Sequence, residues 1–120
     1  MRAVIQRVSY GSVTVENKKI GEIDNGLVVL LGVDINDKQD DISWLANKIT
    51  NLRIFADKKN LMNNSLITVN GDLMIISQFT LFAKTKKGNR PSYMNAAKSP
   101  KAIKYYNSFC DEIESILRKK

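Results

Sequence analysis

Apolar and polar positions alternate over residues 3–8 and again over 12–15, with Tyr10-Gly11 between them, which predicts two strands around a bend or bulge. Residues 18–23 add a short polar strand. Asp24-Asn25-Gly26 is a turn signal, and the unbroken apolar run Leu27-Val28-Val29-Leu30-Leu31-Gly32-Val33 behind it predicts a central strand covered on both faces. Ile42, Leu45, Ala46, Ile49 and Leu52 then recur at helical spacing, so a helix is predicted with Asn36 or Asp37 as its cap and its end near Asn51. Arg53-Ile54-Phe55 reads as a short strand, and residues 57–64, rich in Lys and Asn, read as a loop. Asn70-Gly71 predicts a hairpin turn joining strand 66–69 to strand 72–82.

Residues 83–92 form a basic loop with Gly88 and Pro91. Ser99-Pro100 supplies an N-cap followed by proline in the first helical turn, and Ile103, Tyr106, Cys110, Ile113 and Leu117 mark the apolar stripe of a second helix. Arg118, Lys119 and Lys120 suit the negative end of its dipole. Strands first and helices between and after them imply an α+β domain with a mostly antiparallel, barrel-like sheet covered by two helices. At 120 residues the expectation is one domain spanning 1–120, with one core.

Composition changes this picture mainly through what it removes. The chain contains no histidine, which excludes Ser-His-Asp and Cys-His catalysis and the commonest zinc sites. No metal and no cofactor is expected, and any hydrolysis must rely on backbone amides, hydroxyls, amide side chains, a carboxylate or the substrate itself. The single cysteine, Cys110, falls on the helical stripe and reads as core packing. No apolar stretch is long enough to span a membrane, and Met1-Arg2-Ala3-Val4-Ile5 turns polar at Gln6-Arg7, so neither a membrane partner nor a signal peptide is expected and the cytoplasm is the expected location.

Charge is distributed unevenly. Between Leu73 and Cys110 there is no acidic residue, while Lys84, Lys86, Lys87, Arg90, Lys98, Lys101 and Lys104 all fall inside. These seven account for the net charge of +7, because the 12 remaining basic residues equal the 12 acidic ones. Such a surface attracts a phosphate backbone through counterion release, although a solvated lysine face has the same composition.

Candidate chemistry sits beside it. Met74-Ile75-Ile76 is apolar on both faces, as in a buried strand, and is then interrupted by Ser77, Gln78 and Thr80 around Phe79. Three hydrogen-bonding side chains at the end of a buried strand either pair with neighbouring backbone or face a pocket. Ser77-Gln78-Phe79-Thr80-Leu81 resembles the signature of the D-aminoacyl-tRNA deacylases, also called D-tyrosyl-tRNA deacylases. The opening Met1-Arg2-Ala3-Val4-Ile5-Gln6-Arg7-Val8, the strand from Gly26-Leu27 to Leu31-Gly32-Val33, and Lys87-Gly88-Asn89-Arg90-Pro91-Ser92 resemble the same family in the same order, so the resemblance covers essentially the whole chain.

The resemblance implies the deacylase-like fold and a homodimer, with its pocket at the interface, that hydrolyses the ester of D-aminoacyl-tRNA. It implies that Ser77, Gln78, Phe79 and Thr80 carry the reaction, that Arg7 braces the substrate pocket and that Ala102 lines it. Backbone amides around Phe79 and Thr80, with Ser77, would hold the carbonyl oxygen, Gln78 would orient substrate or water, and the ribose 2′-hydroxyl would assist. The competing mechanism makes Thr80 a covalent nucleophile, for which no base is evident. Lys84, Lys86, Lys87 and Arg90 flank the run, so the tRNA acceptor end is expected to cross them.

The sequence departs from the family at its second signature, a C-terminal Asn-Asp-Gly-Pro-Val-Thr segment. Pro91 follows Arg90 and Pro100 follows Ser99, so neither is a Gly-Pro. Because an unpaired sheet edge is unfavourable, the expectation is a further C-terminal segment beyond Lys120. Two other readings stay open: an editing module like those of threonyl-tRNA synthetases, and a basic RNA-binding module without catalysis.

Overall fold

In the computed structural model, which describes residues 1–118, the run from Gly26 forms the centre of the molecule. Strand β4 (Gly26–Gly32) pairs antiparallel with β1 (Arg2–Val8) on one side and parallel with β7 (Asp72–Ser77) on the other. Leu27, Val29 and Leu31 are completely buried under the helices, and Val28 and Leu30 are half-buried on the opposite face. Strands β2 (Gly11–Val15) and β3 (Lys18–Ile23) form a separate hairpin through Glu16 and Asn17, both with positive φ, as a two-residue turn of this twist demands. The bend at Tyr10-Gly11 lays this hairpin over Val28, which a Cβ on Gly11 would meet at 3.1 Å. The fold is α+β and mostly antiparallel, but the described sheets do not close into a barrel: β1 and β7 remain edges of a three-stranded sheet.

Helix α1 (Gln39–Asn51) ends where predicted and buries Ile42, Ala46 and Ile49. Its start differs. Lys38 is the cap residue, with its N–H donating to the Asp41 carboxylate at 2.8 Å, whereas Asp37 turns inward to the amino group of Met1 at 2.5 Å. Helix α2 (Lys101–Leu117) packs on α1 and buries Phe109 and Ile113. Pro100 replaces Ser99 as its cap residue, and Ile103 is more than half exposed, so the buried stripe is rotated from the predicted one towards Phe109. Cys110 is half-buried at the edge of that stripe, and burial pushes its thiol pKa up. Arg118 takes the left-handed conformation after the last turn, and the predicted role of Lys119 and Lys120 lies outside the described residues.

The hairpin predicted at Asn70-Gly71 is absent. Residues 66–70 are successive turns in which the N–H groups of Val69, Asn70 and Gly71 return to the carbonyls of Ser65, Ile67 and Leu66, and β7 finds its partner in β4. Part of the predicted loop at 57–64 is instead strand β6 (Met62–Asn64), paired with β5 (Phe55–Ala56). The strand predicted over 72–82 stops at Ser77, after which Phe79–Phe82 winds into a 3-10 turn.

Candidate active site

Because β4 and β7 run parallel, their carboxyl ends lie at one edge of the sheet, where Leu31 is level with Ser77. That edge is the usual place for a site in a sheet with parallel strands. The chain leaves it abruptly: the Gln78 N–H still donates to the Leu31 carbonyl at 2.8 Å, and the next residue starts the 3-10 turn. Gly32 makes the turn possible, since a Cβ there would lie 2.7 Å from the Phe82 ring and 3.1 Å from the Gln78 carbonyl oxygen.

Beyond Gly32 the chain holds the next wall. Ala97 donates its N–H to Val33 at 2.8 Å and Ile35 donates to Asn95 at 3.0 Å, fixing residues 95–97 alongside the end of β4. The first turn of α2 follows from there. Between the 3-10 turn, this segment and α2 lies a cavity of about 500 Å³. Ser77 and Phe79 form one side, Tyr93 meets Phe79 edge-on with ring centres 5.1 Å apart, and Ala97, Ala102 and Tyr106 lie opposite. Tyr106 donates its hydroxyl to the Ile75 carbonyl at 2.8 Å, and burial raises its pKa to about 12, so it remains a neutral, fixed dipole.

Of the predicted residues, Ser77, Phe79 and Ala102 line the cavity. Gln78 and Thr80 are half-buried beside it and hydrogen-bond to each other, the Gln78 amide to the Thr80 hydroxyl. Either orientation of that amide leaves Thr80 without a base, because an amide nitrogen has no lone pair to offer and an amide oxygen is too weak to remove the proton. Lys84, Lys86, Lys87 and Arg90 sit on an exposed loop closed by reciprocal backbone bonds between Lys84 and Ser92, one residue before Tyr93.

Arg7 lies away from this cavity. Register puts Arg2 opposite Gly32 but Arg7 opposite Leu27, towards the other end of the strand, where its guanidinium donates to the Ile54 carbonyl at 2.5 Å. It lines no wall of the cavity. The arginine that holds the 3-10 turn is Arg2, which donates to the Leu81 carbonyl at 2.8 Å and stacks 4.7 Å from the centre of the Phe82 ring. Sequence alone does not separate the two arginines, because both sit at exposed positions of one strand and only its register on β4 distinguishes them. Tyr93 and Tyr106 were missed as site residues because an aromatic in a loop or on a helical stripe reads as packing.

A second cavity of about 340 Å³ is bordered by Glu22, Asp72 and Glu114, a carboxylate set that repels an RNA backbone. Charge therefore disfavours this second cavity for a polyanionic substrate, whereas a third, of about 620 Å³ beside α1, is lined by Lys48 and Arg53 but touches none of the candidate site residues the sequence singled out. Among the described residues no group of three or more His, Cys, Asp and Glu is placed to hold a metal ion, and no helix is long and apolar enough to cross a membrane.

Residues 4–120 match the family model described as D-Tyr-tRNA(Tyr) deacylase. The chain is 55% identical over 119 residues to the D-aminoacyl-tRNA deacylase of Azobacteroides pseudotrichonymphae genomovar. CFP2, covering 99% of this chain and 79% of that protein. It is 52% identical over 120 residues to the D-aminoacyl-tRNA deacylase of Flavobacterium psychrophilum, covering 100% of this chain and 80% of the relative. Among solved structures, the c-Myc DNA unwinding element binding protein superimposes with a TM-score of 0.91 at 36% identity, over 97% of this chain and 78% of that one.

Proposed function

This chain belongs to the D-Tyr-tRNA(Tyr) deacylase family, and from that premise we propose that the 500 Å³ cavity is the place where it hydrolyses the ester of D-aminoacyl-tRNA. It is an ester hydrolase, and charged tRNA is its substrate partner. The observation that carries the assignment of the site is the 3-10 turn that opens at the cavity wall with Phe79 and Thr80. The first N–H groups of such a turn have no acceptor within it and remain available to a developing oxyanion.

In this mechanism the ester carbonyl oxygen rests against the Phe79 and Thr80 amides, with the Ser77 hydroxyl beside it. Water adds to the carbonyl carbon, assisted by the 2′-hydroxyl of the terminal ribose, which takes over the role of the absent histidine. The tetrahedral intermediate collapses with cleavage of the carbon–oxygen bond to the ribose. The ribose oxygen takes the proton, and free D-amino acid and tRNA leave. Gln78 acts at one remove, by fixing the Thr80 hydroxyl rather than by facing the substrate.

The acceptor end crosses Lys84, Lys86, Lys87 and Arg90, which lead to Tyr93 at the cavity. The protein acts as a homodimer with this site at the interface: Phe79, Met94 and Ile103 are 57%, 76% and 57% exposed, forming an apolar rim that a second copy covers. Arg7 braces the partner's side of that interface, since it reaches no cavity wall of its own chain. Residues 1–120 act as one catalytic domain, and the cytoplasm, where tRNA is charged, is its place of action.

Thr80→Ala tests the mechanism with D- and L-aminoacyl-tRNA as substrates. The amide donor survives this substitution, so kcat on the D form should fall by no more than about 10-fold, whereas loss of a true nucleophile costs orders of magnitude more. Abolition of turnover would overturn the water mechanism. Release of neither form by the unsubstituted protein would overturn the assignment of the activity.

A further inference from the structure

We propose that Lys98 fixes the direction in which the substrate lies, by holding the phosphodiester that precedes the terminal nucleoside; the inference rests on reading this cavity as the deacylation site. Lys98 is the one charged residue among those lining the cavity. Its backbone is anchored on both sides: Ala97 donates to the Val33 carbonyl, and the Lys98 carbonyl accepts the Ala102 N–H at 3.0 Å. Its side chain is exposed and, among the described residues, takes part in neither ion pair. Neighbouring Lys101 differs, because its ammonium donates to the Ile35 carbonyl at 2.6 Å and lies 5.0 Å over the Tyr105 ring.

The 3′ end of a charged tRNA carries two opposite charges near the ester. The α-ammonium of the amino acid lies on one side of the scissile bond, and the first phosphodiester lies on the other, beyond the ribose. In a cavity of neutral walls with one cation, the two placements differ in sign. With the phosphate at Lys98 both charges are well placed, and in the reverse placement the α-ammonium faces a like charge. Lys98 is thus a positioning residue that acts before the chemistry and touches no reacting atom.

The experiment uses two substrates of the full chain, D-aminoacyl-tRNA and 3′-O-D-aminoacyl-adenosine, the second having no phosphate. Lys98→Ala should raise KM for the tRNA by about 10-fold at low salt with kcat unchanged, as expected for one charge-assisted phosphate contact. It should flatten the slope of log kcat/KM against log salt by about 0.7, the share of a single contact to a single strand. Lys98→Arg should restore both. Aminoacyl-adenosine should be hydrolysed equally well by all three proteins. Equal losses on both substrates, an unchanged salt slope, or a fall in kcat alone would overturn the role of Lys98. Ala102→Trp, which fills the cavity, separates this from the underlying reading. If that variant keeps full activity the cavity is not the site, and if it is inactive while Lys98→Ala is silent, only the inference about Lys98 fails.

Discussion

Arg2 shows how one side chain links strand register to chemistry. Its guanidinium joins the first residue of β1 to the Leu81 carbonyl inside the 3-10 turn and covers Phe82, so the turn that carries the proposed oxyanion donors is held from outside. Arg2→Met should cost about 1 kcal/mol of stability, the worth of one exposed hydrogen bond and a cation–π contact, which a urea midpoint would record. Because oxyanion donors are sensitive to position, kcat should fall by more than that stability loss accounts for. Tyr106 acts through burial. Its phenol has a pKa raised from 10.0 to about 12, so the fold favours the protonated form. The resulting stability is fully present below pH 10 and is lost as pH rises towards 12. Unfolding free energy should therefore decline across that window. Tyr106→Phe, which removes the phenol, should decline less steeply.

Among the elements, the approach to α1 depends on a contact far apart in sequence. The carboxylate of Asp37 is buried, receives the Met1 ammonium through one oxygen and accepts the Asp34 N–H through the other at 2.7 Å. This connects the start of β1 to the loop that carries Val33 and Ile35, and so to the segment that walls the cavity. Asp37→Ala would leave a buried ammonium without its partner and should destabilise the fold by about 3 kcal/mol, measured by thermal or denaturant unfolding. The same residue explains the misplaced helix cap. Capping propensity is local, and an ion pair across 36 residues outweighs it. Local signals failed similarly at Asn70-Gly71. Asn70 does take positive φ, but it closes successive turns over residues 66–70 rather than a two-residue hairpin, and β7 had a better partner in β4, where Leu73 and Ile75 reach the core.

For the whole molecule, the exposed apolar residues Phe79 and Ile103 line the candidate site, and the basic loop and Met94 adjoin its Tyr93 wall in sequence. Met94 is the most exposed apolar residue of that rim, at 76%. On the proposed homodimer, Met94→Asp should shift the sedimenting species from dimer towards monomer and lower deacylation in parallel, because the proposed rim and the cavity share Phe79 and Ile103. If the mass in solution is unchanged while activity is normal, the interface lies elsewhere. The acid-free segment from Leu73 to Cys110 becomes meaningful at this scale. It supplies the 3-10 turn, the basic loop, the cavity wall and the start of α2, so the basic field and the candidate pocket come from one continuous stretch.

The strands up to Gly32, the buried face and end of α1 and the presence of α2 were legible in the sequence because each rests on local periodicity, which burial then reinforced. The run Ser77-Gln78-Phe79-Thr80 was legible as a break in a buried strand, and the absence of histidine already favoured backbone donors over a nucleophile with its base. What periodicity cannot encode is which strands pair and at what register. That was decided by tertiary structure: the parallel pairing of β4 with β7 put Ser77 at the sheet edge, the register of β1 on β4 put Arg2 rather than Arg7 level with that edge, and the segment after Val33 brought Lys98 to an otherwise uncharged cavity. The physical reason is that pairing is settled by the burial of whole faces, a sum over distant residues, while each residue's neighbours in sequence specify only its local conformation.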